Sequence, residues 1–198
     1  MAVLRSVTAV GLALLWAAAL ADEASAVANQ GEAQCPPVDL TTHRHFGFYL
    51  HLDEGIGGMR SSAPGGWVQS GVTTGRLGIA IGGALSENVI LAGRAWNLDR
   101  IERAQDTTDV SISGVGPEFI AYFMPANIFV SVAPLLTSLK VNNSSYGGVG
   151  LLGAVGKEWW TGAHWGLGVT GQGFVSGNSW GGTAWSFGGQ VALTGTYN

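Results

Sequence analysis

The C-terminal stretch, residues 183–198, alternates between two kinds of side chain. From Trp185 onward every second position is large and apolar or glycine, whereas the positions between are small or polar, such as Ser186 and Gln190. A period of two predicts a β-strand with one apolar and one polar face. The pattern alone leaves open whether the apolar face points into a core or outward into lipid.

The same period recurs along the chain and predicts eight strands in all. The links after the second, fourth and sixth strands are tight turns, and those after the first, third, fifth and seventh are longer or more polar. In an up-and-down barrel, successive connections fall at opposite ends. One end, called the terminal rim here, would carry the short turns and both chain ends. The other end, the distal rim, would carry the long loops, as in outer-membrane barrels. The predicted strands cover 45–53, 72–85, 88–98, 109–123, 127–136, 147–159, 165–175 and 185–197, and the predicted longer or more polar links are 55–71, 97–109, 142–145 and 176–182.

The aromatic residues are sorted toward the ends of these strands. Two aromatic belts around an aliphatic band are typical of two membrane–water interfaces. The belt of the terminal rim is predicted to hold Phe46, Phe48, Phe119, Tyr122, Phe123, Phe129, Trp159, Trp160, Trp165 and Tyr197, and that of the distal rim Trp67, Trp96, Tyr146, Trp180 and Trp185.

Composition decides between the two directions of the apolar face. Charged residues make up 11% of the chain, against about a quarter in an average soluble domain. A water-soluble barrel would need Lys and Glu on its outer face, but the polar face carries Gly, Ala, Ser, Thr and Gln with isolated charges. Small side chains fit the narrow lumen of an eight-stranded barrel. We therefore predict an all-β, eight-stranded antiparallel transmembrane barrel over residues 45–198 with its apolar face outward; the alternative is a soluble secreted ligand-binding barrel.

The N-terminus has the layout of an export signal. Arg5 precedes an apolar run over 7–20 and small residues over 24–28, which predicts a signal peptide over 1–28 that is cleaved on export. Residues 29–44, which include Cys35, are predicted to form a flexible tail. The net charge of −4 gives no basic footprint for nucleic acid.

With these features the chain resembles the small eight-stranded outer-membrane barrels of the OmpA/OmpX type of Gram-negative bacteria. The resemblance rests on strand count, loop asymmetry, girdles and the aromatic-rich last strand. It implies export through the periplasm and a place in the outer membrane among lipid and lipopolysaccharide, with no cofactor. It also implies a C-terminal aromatic signal for the barrel-assembly machinery, here Tyr197, one position before the end.

The alternation assigns individual side chains to the two faces. Charges inside a narrow barrel need partners because their desolvation is costly. We predict a structural polar network in the lumen, made of Arg76, Arg94, Glu118, Glu158, Gln172 and Gln190. The predicted lipid-facing residues are Phe46, Phe48, Ile79, Phe119, Val169, Phe187, Val191 and Leu193.

Motifs for catalysis or cofactor binding are weak. Two G-x-G-x-x-G stretches, at 148–153 and 166–171, lack the following helix that a dinucleotide site needs. The pairs His43-x-His45 and His51-x-Asp53 suggest a metal but offer no third ligand. We predict a non-enzymatic protein with surface-exposed loops for a structural, adhesive or surface-contact role; a lipid-modifying enzyme or a minor channel on the same barrel is the alternative.

Overall fold

The computed structural model describes residues 45–63, 65–100 and 109–198, without the side chains of residues 67–69. The predicted signal peptide (1–28), the predicted tail (29–44) and Cys35 lie outside the described residues. Among the residues that are described, no helix is long and apolar enough to cross a bilayer.

Eight antiparallel strands form one closed barrel in chain order, and pairing of the last strand with the first completes it. The predicted fold class, an all-β antiparallel up-and-down barrel of eight strands, is confirmed. The strands are β1 (Phe48–Ala63), β2 (Trp67–Ser86), β3 (Val89–Arg100), β4 (Val110–Phe123), β5 (Ile128–Val141), β6 (Ser144–Trp160), β7 (Trp165–Ser179) and β8 (Thr183–Tyr197).

The strands run farther toward the distal rim than the alternation predicts. The predicted link 55–71 is mostly ladder, since β1 and β2 stay paired up to Ala63 and Trp67. Only Asn142 and Asn143 separate β5 from β6, and Asn142 has a positive φ of 52°, which suits a tight hairpin turn. The prediction of long loops was wrong at these places, because polar residues occupy both faces there and the backbone ladder continues without an apolar stripe.

The two faces of the last strand differ sharply in exposure. Phe187, Val191 and Leu193 are 52–70% exposed, whereas the alternating Ser186, Gln190 and Thr194 are at most 5% exposed. The same arrangement holds around the barrel, where large apolar side chains cover the outside. The apolar face of the strands therefore points outward and away from the lumen.

A β-bulge in β2 turns Arg76 to the outer face of the barrel, whereas it was predicted to face the lumen. Asp53 pairs with Gly78 and Gly55 with Gly75, so β2 has one residue more than β1 between these pairs. Arg76 and Leu77 consequently both lie on the outer face, and the Arg76 side chain is 76% exposed. The prediction that Arg76 belongs to the lumen network was wrong, because an inserted residue breaks the period of two.

Single arginine substitutions can test which residues of β8 face outward and which face the lumen. Val191→Arg should destabilise the barrel by about 2–4 kcal/mol if the site lies at the bilayer midplane. Gln190→Arg enters the lumen and meets polar partners, so lack of space should be its main cost. Reversible unfolding in lipid vesicles measures both.

Spin labels on cysteines at 186, 187, 190, 191, 193 and 194 provide an independent reading of the same phase. Lipid-dissolved relaxation agents should reach 187, 191 and 193 and spare the other three. Accessibility in the opposite phase, or without a period of two, would contradict the outward assignment.

Candidate functional site

The lumen is filled in three layers. A buried histidine and aromatic rings lie at the terminal rim, a charged cluster lies next to them, and large apolar side chains mixed with buried hydroxyl and amide groups fill the part toward the distal rim. Each layer comes from strands distant in sequence, which the closed ladder brings together.

Arg94 is the cation of the charged cluster. Its Nη2 lies 2.6 Å from Asp53 Oδ2 of β1, and its Nη1 lies 3.6 Å from Glu118 Oε2 of β4. All three side chains are at least 95% buried. Ser131 donates a hydrogen bond of 2.7 Å to Glu118, and Gln172 donates one of 3.0 Å to Asp53. A buried ion pair is tolerated when such additional hydrogen bonds satisfy its remaining lone pairs.

Glu158 of β6 organises the second half of the cluster. Thr196 donates a hydrogen bond of 2.6 Å to its Oε1, and Tyr122 donates to both carboxylate oxygens at 3.3 Å. The His51 ring lies between the two halves, with Nδ1 3.0 Å from Thr196 Oγ1 and Nε2 3.9 Å from Asp53 Oδ2. The charged cluster therefore consists of two hydrogen-bonded halves with the His51 ring between them.

Thr196, His51 and Asp53 stand in the hydroxyl–imidazole–carboxylate order of a catalytic triad. The geometry does not suit that chemistry. The Thr196 side chain is fully buried and donates its proton to Glu158, and 3.9 Å is too long for a hydrogen bond between His51 and Asp53. The Thr196 hydroxyl therefore connects His51 to Glu158 and does not form a triad with His51 and Asp53.

His45 closes the lumen at the terminal rim. Its ring stacks on Tyr122 with centroids 3.5 Å apart, and its Nε2 lies 2.9 Å from Asn127 Oδ1. Gly47, with a φ of 84°, allows the chain to turn from this buried position into β1. His43, its suggested partner in a metal site, lies outside the described residues. Within the described ranges no group of three or more His, Cys, Asp or Glu could hold a metal ion.

The part of the lumen toward the distal rim contains large apolar side chains beside buried polar ones such as Asn178. Trp96 and Phe174 pack with ring centroids 4.9 Å apart, among bulky aliphatic side chains such as Leu98 and Leu135. Two predictions were wrong here: the inner face is not uniformly small and polar, and Trp96 lies inside rather than in the distal belt. The sequence obscured this because β5 is apolar on both faces, so that alternation could not separate core from surface.

The predicted network residues other than Arg76 lie in the lumen, and most of them contact one another. Gln190 donates to Gln172 at 2.7 Å, and Gln172 leads through Asp53 to Arg94 and Glu118. The sequence placed His51 and Asp53 on one face of β1 but found no partner for them. Tyr122 was predicted in the terminal belt and is instead buried, and its hydroxyl lies 3.0 Å from that of Tyr49.

The predicted lipid-facing residues all lie on the outer face. Seven of them are exposed, and Ile79 is half-buried beside the bulge of β2. Tyr197, the predicted assembly signal, is half-buried and packs edge-on against Trp165 with ring centroids 5.2 Å apart. The exposed seven are Phe46, Phe48, Phe119, Val169, Phe187, Val191 and Leu193.

Comparison with known proteins rests on the fold. No known protein family matches the sequence, and neither does any curated protein. The barrel is similar to the crystal structure of Neisserial surface protein A, with a TM-score of 0.56 and 14% identity over 76% of this chain and 96% of that one. The chain has the fold of the small eight-stranded outer-membrane barrels.

Two further barrels of this fold match more loosely. The attachment invasion locus protein Ail of Yersinia pestis has a TM-score of 0.46 and 10% identity over 76% of this chain and 99% of its own. The outer membrane protein OprG of Pseudomonas aeruginosa has a TM-score of 0.43 and 11% identity over 78% of this chain and 98% of its own.

The Arg94 ion pairs should matter more than charges on the outside of the barrel. Asp53→Asn removes the nearest counter-charge of a buried guanidinium and should cost about 3–5 kcal/mol of unfolding free energy. Glu118→Gln should cost less, because its carboxylate lies farther from Arg94. Urea titration in detergent or vesicles measures these losses.

The control is Asp109, which is exposed at the distal rim, one residue before β4 and outside the apolar band. Asp109→Asn should change the unfolding free energy by about 0.5 kcal/mol or less. Equal, small effects at 53 and 109 would mean that Asp53 does not compensate a buried charge.

Proposed function

We propose that the protein is a non-enzymatic outer-membrane β-barrel whose distal hairpins contact the surroundings of the cell. One observation carries this proposal: large apolar side chains cover the outside of the barrel, while a charged cluster is buried in its lumen. A protein that folds in water has the opposite polarity.

The outer surface supports a bilayer as the surrounding medium. Exposed apolar side chains such as Ile81, Val132 and Val169 are contiguous around the barrel, whereas soluble monomers rarely expose apolar patches larger than a few hundred Å². A closed barrel also satisfies the backbone hydrogen bonds of its strands internally, as a membrane span requires.

The apolar band favours one orientation. It ends at Ile56 on β1 and at Leu136 on β5, but these strands continue to Ala63 and Val141. At the terminal rim the band reaches the strand ends. We infer that the terminal rim faces the periplasm and that the distal hairpins project from the outer surface.

The filled lumen argues against the alternative functions. A channel needs an open path, but the Trp96–Phe174 pair and the Arg94 cluster occupy the lumen. A soluble ligand-binding barrel would bury its apolar face, whereas large apolar side chains such as Val132 and Leu193 are exposed on the outside of this one. Burial of the Thr196 hydroxyl disfavours a lipid-modifying enzyme built on the one triad-like arrangement described above.

The proposal implies partners of three kinds. Outer-membrane lipid and lipopolysaccharide surround the band, and the barrel-assembly machinery reads the last strand with Tyr197. The third kind is an external partner of the distal hairpins. The β5–β6 turn, Asn142-Asn143, is polar and uncharged, which favours contact through hydrogen bonds at this tip.

The proposed location predicts fractionation behaviour. The protein should sediment with outer membranes and need detergent for extraction, because its outer face is apolar. It should also migrate differently in unheated and boiled gel samples, since a closed barrel resists detergent until heated. Recovery from the periplasm without detergent would exclude the membrane assignment.

The absence of lipid-modifying activity has a separate test. Lipid A from cells that express the protein should have the same acyl pattern as lipid A from cells that do not, as mass spectrometry can measure. An acyl pattern that changes with expression and reverts with Thr196→Val would favour the enzyme.

A further inference from the structure

A carboxylate lies on the outer face of β1 inside the apolar band. Glu54 is exposed there. Along the strand it lies between Leu52 and Ile56, and its cross-strand neighbour on β8 is Leu193. It follows Phe48 by six residues, which at about 3.3 Å per residue and a tilt of about 40° is about 15 Å into a band about 25 Å tall. Ionisable side chains at such a depth are rare and pair with other polar groups.

Glu54 has no partner within the part of the barrel that the structure describes. No hydrogen bond or ion pair between described residues reaches its carboxylate. The bulge of β2 places Arg76 opposite Glu54, but no ion pair joins the two. Arg76 turns toward β3 instead, where its Nε lies 2.5 Å from Asp99 Oδ2 and its backbone N–H donates a hydrogen bond of 3.1 Å to Asn97.

Arg76 has donors for a second carboxylate. Its contact with Asp99 is made by Nε, and a guanidinium carries further N–H donors on its two terminal nitrogens. The Arg76 side chain is 76% exposed, so these donors can be reached from outside the barrel. Arg94 in the lumen shows the same capacity, because it faces both Asp53 and Glu118.

The outer faces of β1 and β2 thus hold one carboxylate and one guanidinium side by side. Paired strands are about 4.8 Å apart, so Glu54 and Arg76 differ in depth by about 5 Å or less. A two-fold axis along the membrane normal keeps every residue at its own depth. It also brings the same patch of two copies together, so that residue i meets j and j meets i. A patch with one anion beside one cation is complementary to itself under this symmetry.

We propose that two copies of this chain form a two-fold dimer in the bilayer through the outer faces of β1 and β2, in which Glu54 of each copy pairs with Arg76 of the other. Apolar side chains beside the charges, such as Ile56 and Leu77, are more than half exposed in the single barrel and pack at this contact. A pair within one chain would leave both charges facing hydrocarbon, whereas reciprocal pairs are covered by the opposite wall. The inference rests on the proposed function, because only a barrel in a bilayer has this reason to cover its charges.

Charge and depth favour a second copy over a lipid. Glu54 repels the phosphate groups of phospholipids and of lipid A, and these groups lie at the membrane surface, far from the middle of the band. A different membrane protein would have to supply both a cation and a carboxylate at matching depths. A second copy of this chain supplies both.

The test measures self-association by resonance energy transfer between donor-labelled and acceptor-labelled protein in dilauroylphosphatidylcholine vesicles of increasing lipid content. The labels are attached to Cys35, the one cysteine of the chain. The wild type should associate. Glu54→Arg and Arg76→Glu each place like charges opposite one another at both pairs. Each variant alone should therefore raise the dissociation constant about tenfold or more.

A mixture of the two variants separates pairing between copies from pairing within one chain. In the mixed dimer both contacts again join a cation to a carboxylate, so association should return to within about threefold of the wild type. A pair within one chain cannot be rescued in this way, because each variant has two like charges at positions 54 and 76. Arg60→Glu and Asp109→Arg make the same charge changes at exposed sites nearer the distal rim and should associate as the wild type does.

Several results would overturn the inference. These are a wild type that stays monomeric at every lipid content, single variants that associate as the wild type does, or a mixture that associates no better than its components. The heat-dependent gel shift shows whether each variant is folded. If a reversed charge prevents folding, the neutral variants Glu54→Gln and Arg76→Gln replace it; each should raise the dissociation constant about threefold or more, and no rise contradicts the dimer.

Failure of the dimer and failure of the proposed function give different results. A barrel that inserts and shows the gel shift but remains monomeric contradicts the dimer alone. Recovery without detergent contradicts the proposed function as well.

Discussion

The closed backbone ladder is the constraint on which the rest of the structure depends. Pairing of β1 with β8, from Leu50–Tyr197 to Ser62–Trp185, joins the ends of the sheet and fixes its circumference at eight strands. An eight-stranded barrel has an interior just wide enough for side chains to fill. The lumen must therefore be packed as a core, while the outer wall, which no other layer of this chain covers among the described residues, carries the apolar side chains.

Packing a narrow lumen with charged groups requires compensation at every position. Arg94 faces two carboxylates, and Ser131 and Gln172 each donate a hydrogen bond to one of them. The apolar layer of Trp96 and Phe174 adjoins this cluster toward the distal rim, and the His45 ring covers it on the terminal side. Low access of water strengthens the ion pairs and at the same time makes an unpaired charge costly. The same buried side chains thus stabilise the barrel and close its lumen.

The outer wall differs from the lumen in the arrangement of its side chains. Its register aligns residues of three neighbouring strands in rows, and the rows of β3 to β5 change from apolar (Ala95–Val115–Leu136) through Asn97–Ser113–Ser138 to charged (Asp99–Ser111–Lys140). The bulge of β2 adds Arg76 to the charged row by turning it away from the lumen. One inserted residue therefore moves a charge from the interior to the surface, where it pairs with Asp99 instead of joining the core network.

The period of two in the sequence was enough to determine the number of strands, the antiparallel barrel and the phase of strands such as β8, because alternation depends only on local backbone geometry. It also assigned Arg94, Glu118 and Gln190 to the interior. Only the tertiary structure decided which inner residues meet, such as His51 and Thr196, 145 positions apart. It alone decided the outward turn of Arg76, the apolar layer around Trp96 and the length of the distal hairpins. Such contacts depend on register, bulges and closure, and a single strand's alternation contains no information about its neighbours' register.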